Sequence, residues 1–530
     1  MSRQIGWGSW IAFRRYQVLF VLLFAVGIFT LVQIAHIRDL DPWDRLSSTF
    51  RRPPSNPYNL DGPSLARASH LEAQCRQNDQ FEEIYGRTNL RMSRAYEGSQ
   101  HRLRELSRKV LRGERVSIST IGGSITRGHQ VYAHEVWFVK LKEWLDSFWP
   151  NDIDIVATNG AVPASGSDYF SFCFPIHIPE NSDLILVELA VNDAGEPEYA
   201  DSMENLLRGL LDLPSKPAVI LLEAMAFSNG GMGGGGGRMH LPVAQYYDVP
   251  VINQRHPLAN HFARYPELVP MYFSQDYWGF PDMRHLNARG HRDLAALVSS
   301  LIKDVTCEML AEGDLVSQSY GSVDVDPAEI DLEALDLSWP IETLPWTKNL
   351  SHGTQQIFPG MFNTPLELGL LPRLPVLEGW NPNLDHRAPA FHPVCYSTRA
   401  HEERFNLTPT VNEGWTHWVH PEHLDKPYLI TKEPGARVSF EIETAVGVVK
   451  VYSLRSRSFG FGTAECWMDE SKDKSVKLVG YWDRAENVGR FDTVASGLRP
   501  GKHRLTCQML EETSDPEGGH EFRLISVMSL

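Results

Sequence analysis

"TIGGSITRG", Thr120 to Gly128, sits where an apolar run, RVSISTI, gives way to a helix-like segment. A glycine turn between a strand and a helix serves three chemistries: cradling a phosphate, binding a dinucleotide, or presenting a nucleophile. A phosphate loop needs a lysine and a hydroxyl after its second glycine, and His129-Gln130 stand there instead. The dinucleotide fingerprint G-x-G-x-x-G is not met by GGSITRG. The third chemistry survives. Ser124 would lift its hydroxyl above a sheet, with the first helical N–H groups facing a developing oxyanion.

Outward from this turn, strands and helices alternate. HEVWFVKLKEWLDSFW is an amphipathic helix stopped by Pro150, its tryptophans read as core. IDIVAT, LILVELA and AVILLEAMAF are strands, the last two continuously apolar and therefore of the buried, parallel type. MHLPVAQYYDVPVIN supplies a helix and a strand, and NARGHRDLAALVSSLIKDV a closing helix. The pattern predicts an α/β domain over 85–309 with a doubly wound parallel sheet. SNGGMGGGGGR, Ser228 to Arg238, reads as a flexible surface insertion, because a glycine run does not hold a fixed backbone cheaply.

Residues 310–390 are acidic and proline-rich and read as a connector. From 391 onward the pattern changes to short runs with no helices between them: ARVSFEIET, GVVKVYSLRS, TAECWMD, VKLVGYW, GRFDTVA, HRLTCQML and EFRLISVMS. That is a β-sandwich pattern over 391–530. Because these runs carry their own apolar alternation, the sandwich is expected to fold alone, or to dock without entering the active site.

The chain of 530 residues has a net charge of −16, which argues against a nucleic-acid partner. Val18 to Val32 is uninterrupted apolar sequence, extendable to Ala35, with Arg3, Arg14 and Arg15 before it. This predicts a transmembrane signal anchor at 18–35 behind a cytosolic tail at 1–17, with the bulk of the chain lumenal. A stem at 36–84 follows. The expected location is a secretory-pathway membrane, ER or Golgi, as a single-pass type II protein. Six cysteines without a CxxC, and the sequons at Asn349 and Asn406, fit an oxidising lumen and give no support to a metal site. Cys466 and Cys507 are either a pair or two free core thiols.

A nucleophilic serine needs a base, and the base an orienter. FPDMRHLNARGH offers Asp282 and His285 three residues apart, close enough to share one turn. NGAVPASGS and LAVND lie at the carboxyl edge of the sheet, where doubly wound folds bind ligands. His129, His134 and His291 are read as surface or supporting residues.

In their order, these four stretches resemble the blocks of the SGNH (GDSL-like) hydrolase superfamily over about 115–305. The resemblance implies a flavodoxin-like sheet, Ser124 as nucleophile, and Asp282 and His285 completing a triad. It implies an oxyanion hole from the N–H groups of Ser124 and Gly166 with the Asn192 amide, Gly160 being the fallback glycine. Two departures stand out: GGS replaces the common GDS at Gly123, and AVND replaces GxND at Ala190. The C-terminal part, with GLRPGKHRLTC and GGHEFRLISV, resembles a galactose-binding-like jelly roll. The whole is similar to fungal membrane-anchored, capsule-associated SGNH proteins. The implied activity is a serine esterase removing O-acyl, mainly O-acetyl, groups from glycans through an acyl-enzyme, without metal or organic cofactor. A polysaccharide O-acetyltransferase using the same site is one alternative. A catalytically idle glycan-binding scaffold is the other, against which the intact residues argue. No oligomeric state follows.

Overall fold

Strand Val116–Gly122 is buried along its whole length, as its apolar and small residues require of a strand covered on both faces. The computed structural model describes residues 60–228, 231, 234–276, 278–315, 374, 393–421, 423–483 and 487–530. The expected tail at 1–17, anchor at 18–35, stem up to 59 and nearly all of the connector lie outside the described residues. Among the described residues no helix is long and apolar enough to cross a membrane.

The α/β part contains strands β1 (Arg94–Tyr96), β2 (Val116–Gly122), β3 (Ile155–Asn159), β4 (Leu184–Glu188), β5 (Ala218–Glu223) and β6 (Val251–Asn253), ordered β1-β6-β5-β4-β2-β3. β2 to β6 run parallel, and their spatial order is the flavodoxin-like 2-1-3-4-5. β1 adds an antiparallel edge. A two-stranded hairpin, β7 (Phe273–Gln275) and β8 (Pro281–Leu286), lies apart from this sheet. The helices are α1 (Gly62–Cys75), α2 (Gln80–Tyr85), α3 (Arg87–Ser93), α4 (His101–Arg112), α5 (Ser124–Arg127), α6 (Trp137–Phe148), α7 (Ser167–Cys173), α8 (Pro197–Leu211), α9 (Gly237–Tyr246), α10 (Arg255–Arg264) and α11 (Ala288–Glu312). α1, α4, α6 and α11 pack together. On the opposite side, α7, α8 and α9 form one layer, which Ile185 and Val187 of β4 join in a single core. The period of two turns Leu184 and Leu186 the other way.

Two expectations are corrected here. Of the residues placed in the stem, 62–75 form α1 and 80–84 lie in α2. The Cys75–Cys307 disulfide fastens α1 to α11, so the α/β part extends back to Asp61. The glycine run is not wholly a surface loop either: Gly234 to Gly237 are buried and lead straight into α9.

The C-terminal part is an antiparallel sandwich, and each of the seven runs quoted above contains a strand. One sheet holds β10 (Val411–Glu413), β13 (Arg437–Thr444), β18 (Gly501–Met509), β15 (Thr463–Met468) and β16 (Val476–Val479) in that order. The other holds β11 (Thr416–His420), β12 (His423–Thr431), β19 (Phe522–Ser529), β14 (Val449–Arg455) and β17 (Val488–Ala495), with β9 (Val394–Ser397) alongside β19. Cys466 and Cys507 stand opposite each other on β15 and β18 and are bonded.

The sandwich does not dock loosely. β19 is buried throughout: Phe522, Leu524 and Val527 fill the core between the sheets, whereas Ile525 and Met528 join the core of α7, α8 and α9. Tyr169, Phe170 and Phe172 of α7 share that core with Tyr428, Tyr452 and Phe461, and the Cys173–Cys395 disulfide crosses it. The expectation of an independent module fails because apolar residues on one face of the sandwich share a core with α7, which covers them.

Candidate active site

Ser124 is the first residue of α5, reached through Gly122 and Gly123 at the end of β2. A Cβ at Gly123 would overlap the Asn192 amide nitrogen, and one at Gly122 would overlap Thr126. The departure from GDS thus has a steric reason in this chain. Only glycine lets the turn close under Asn192.

Ser124 Oγ lies 2.7 Å from His285 Nε2, and His285 Nδ1 lies 2.5 Å from Asp282 Oδ2. The second carboxylate oxygen of Asp282 accepts the backbone N–H groups of Arg284 and His285 at 2.9 and 2.7 Å. These bonds, chiefly that from the His285 side chain, outweigh burial and hold the Asp282 pKa below its usual value. Asp282 and His285 sit on β8, where Met283 takes a left-handed φ of 58°. Such a conformation costs a non-glycine residue about 1–3 kcal/mol and is retained where surroundings over-determine it. Here it folds β8 so that both side chains face Ser124. The turn inferred from their spacing exists, but inside a strand.

The N–H groups of Ser124 and Gly166 donate to no protein acceptor among the described residues, and both residues line the cavity beside His285. Asn192 Nδ2 donates to Ser165 O at 2.7 Å, which leaves its second amide hydrogen available. Gly160 is eliminated: its N–H extends the sheet by donating to Thr120 O at 2.9 Å. Arg284 ties the β8 turn to the Asn192 turn by donating to Val191 O at 3.1 Å. The structure therefore brings Ser124, Gly166, Asn192, Asp282 and His285 together.

Of the other histidines, His129 packs against His285, ring centroids 4.4 Å apart and planes tilted by 57°, with partial burial and the facing imidazole holding its pKa down. His291 is fully buried, not superficial. Its Nδ1 accepts the Trp137 N–H at 3.2 Å, and burial pushes its pKa down to about 4. His134 is exposed, stacked on Tyr132.

The cavity above the triad measures about 490 Å³ and is walled by both parts of the chain. The α/β side gives Asp168 and Tyr199, and the sandwich gives Tyr452, Trp482, Gly489, Arg490 and Phe491. A Cβ at Gly489 would overlap the Tyr452 ring, so glycine there lets the tyrosine reach the cavity. Lys450 lies between the Phe172 and Phe491 rings, 4.8 and 4.6 Å from their centroids, and Arg490 sits 5.7 Å over Trp482. Burial, and then the charge of Asp193, push the Asp168 carboxyl up to about 7. Sequence reasoning missed these residues. Asp168, two positions past Gly166, was within reach of a strand-end argument; Trp482 and Arg490, over 300 residues from Ser124, carried no signal.

Beneath the nucleophile, Thr126 Oγ1 donates to the buried Glu188 carboxyl at 2.9 Å and accepts the Trp137 indole N–H at 3.3 Å. Burial pushes the Glu188 pKa up to about 8, so the group under α5 is neutral at pH 7.

Solved structures share this fold over most of the chain. The chain has the fold of a two-domain esterase. That protein, CEX, is active on acetylated mannans. Its crystal structure matches with TM-score 0.57 at 17% identity, over 83% of this chain and 98% of that one. Its form co-crystallised with mannopentaose matches at 16% identity with the same TM-score, over 83% and 97%. The lipase/acylhydrolase from Enterococcus faecalis, at 19% identity, covers 36% of this chain and 96% of its own, with TM-score 0.28. No protein-family model matches the sequence, and no curated protein does.

Proposed function

We propose that this chain is an SGNH-type serine esterase that removes O-acetyl groups from a glycan. The observation that carries the proposal is the continuous Ser124–His285–Asp282 hydrogen-bonded array, 2.7 and 2.5 Å, opening into a cavity walled by the sandwich. Ser124 Oγ attacks the ester carbonyl carbon while His285 Nε2 takes its proton, and Asp282 stabilises the imidazolium. The carbonyl oxygen, now negative, is held by the N–H groups of Ser124 and Gly166 and the Asn192 amide. The intermediate expels the sugar oxygen, to which His285 returns the proton, leaving acetyl-Ser124. Water, deprotonated by His285, then releases acetate.

A glycan substrate fits a cavity that pairs ring faces with polar groups: Trp482 and Tyr452 with Asp168 and Arg490. The fold shared with an acetyl-mannan esterase supports the same substrate class, without naming the sugar. The apolar run at 18–35, three disulfides and the exposed sequon Asn406 support a lumenal enzyme on a secretory membrane anchor.

The test is a fluorophosphonate probe on the full chain with peptide mapping, alongside acetate release from acetylated mannan. Label on Ser124, with labelling and acetate release both lost in Ser124→Ala, is expected. Label elsewhere, or full activity in Ser124→Ala with an unchanged melt, refutes the reading.

A further inference from the structure

The proposed oxyanion hole has three donors, and two of them lie beside a buried pair outside the triad. Asp193 follows Asn192 and is completely buried. Its Oδ1 accepts the Ser167 N–H at 2.9 Å, and its Oδ2 lies 2.7 Å from Nε2 of His240, itself 3% exposed. Gly166 is therefore pinned on both sides. Before it, Ser165 O accepts from Asn192 Nδ2; after it, Ser167 N–H is held by Asp193. A Cβ at Gly166 would overlap Asp193 Oδ1, which explains why the loop must be glycine there.

His240 reaches Asp193 because the glycine run ends against the same turn. Gly236 N–H donates to Asp193 O at 2.9 Å, and a Cβ on Gly236 would lie 2.6 Å from Asp193 Cβ. No larger residue lets the first turn of α9 come so close. Electrostatics require the partner as well. A buried carboxylate next to the donors would oppose the charge developing on the substrate oxygen unless its own oxygens were compensated by donors.

Building on the esterase reading, we propose that His240 is a positioning residue of the oxyanion hole: through Asp193 it sets Gly166 N–H and the Asn192 amide and offsets the Asp193 charge. The run Gly234–Gly237 is the close-approach element that admits it.

The test measures kcat and KM on p-nitrophenyl acetate, with thermal melts, for wild type, Ser124→Ala, His240→Ala, His240→Gln, Asn192→Ala and the His240→Ala/Asn192→Ala double variant. His240→Ala is expected to lower kcat about 10–100-fold with little change in KM, as displaced oxyanion donors do. His240→Gln, whose amide N–H reaches the same carboxylate oxygen, recovers most of the rate. In the double variant the two losses combine to less than their product, because both act on one set of donors. An unchanged kcat in a folded His240→Ala overturns the proposal. So does a His240→Gln as impaired as His240→Ala, or a fully multiplicative double variant. Wild-type turnover that Ser124→Ala does not abolish refutes the esterase reading itself, and this proposal with it.

Discussion

Replacing Glu188 by glutamine isolates the buried acid beneath the nucleophile. Its pKa is raised from 4.5 to about 8, mainly by burial. Below the unfolded value the carboxyl is protonated in both states, and its titration contributes nothing. Between the two values the unfolded chain ionises while the folded chain stays neutral, so folding becomes less favourable as pH rises. The slope approaches 1.4 kcal/mol per pH unit, and by pH 7 the accumulated loss is about 3 kcal/mol. Above the folded value the carboxyl ionises in place and the loss levels off. Glutamine keeps an acceptor for Thr126 Oγ1 and has no such titration. Urea unfolding of wild type and Glu188→Gln at pH 5, 6, 7, 8 and 9 reads the effect directly, since other titrating groups are common to both proteins. Relative to wild type, the variant is expected to gain about 3 kcal/mol between pH 5 and 8. Parallel stability curves would show that Glu188 is not held neutral, and the account of the layer under α5 would fall.

Trp482→Ala and Arg490→Ala should raise KM for an acetylated oligosaccharide by about 3–10-fold, as loss of one aromatic contact does, while leaving p-nitrophenyl acetate turnover nearly unchanged. Equal losses on both substrates would place these residues in the chemistry, and no loss on either would remove them from the site. Substituting both Cys173 and Cys395 by alanine should destabilise more than the same change at Cys466 and Cys507. Sequence separations of 222 and 41 correspond to about 5 and 4 kcal/mol of loop entropy. The first pair should also raise KM for the oligosaccharide, because it fastens the cavity wall. Urea unfolding and steady-state kinetics decide both points, and a reversed order of stability would contradict the shared-core description.

Much of this molecule is legible from local pattern. Continuously apolar strands alternating with amphipathic helices can be buried only between two helical layers, so the doubly wound sheet follows from LILVELA and AVILLEAMAF. The turn at Ser124 follows from a glycine pair where an apolar strand gives way to a helix, and the Asp282–His285 pairing from a spacing of three, since short-range geometry is written in short-range sequence. The sandwich strands follow from their length and punctuation. What only the tertiary structure decided is what lies between segments distant in the chain. An apolar face on β19 reads the same whether it meets another sheet or α7, so the sandwich passed for a separate module until Ile525 and Met528 were seen in the core of the α/β part. A glycine run reads as flexible until the backbone it must approach, at Asp193, is in place. Resemblance alone ranks Gly166 ahead of Gly160; hydrogen bonding separates them, because one N–H completes the sheet and the other residue lines the cavity. Burial, and with it the neutral Glu188 and the Asp193–His240 pair, is a property of the packed interior, where solvent is excluded by residues that no local window contains.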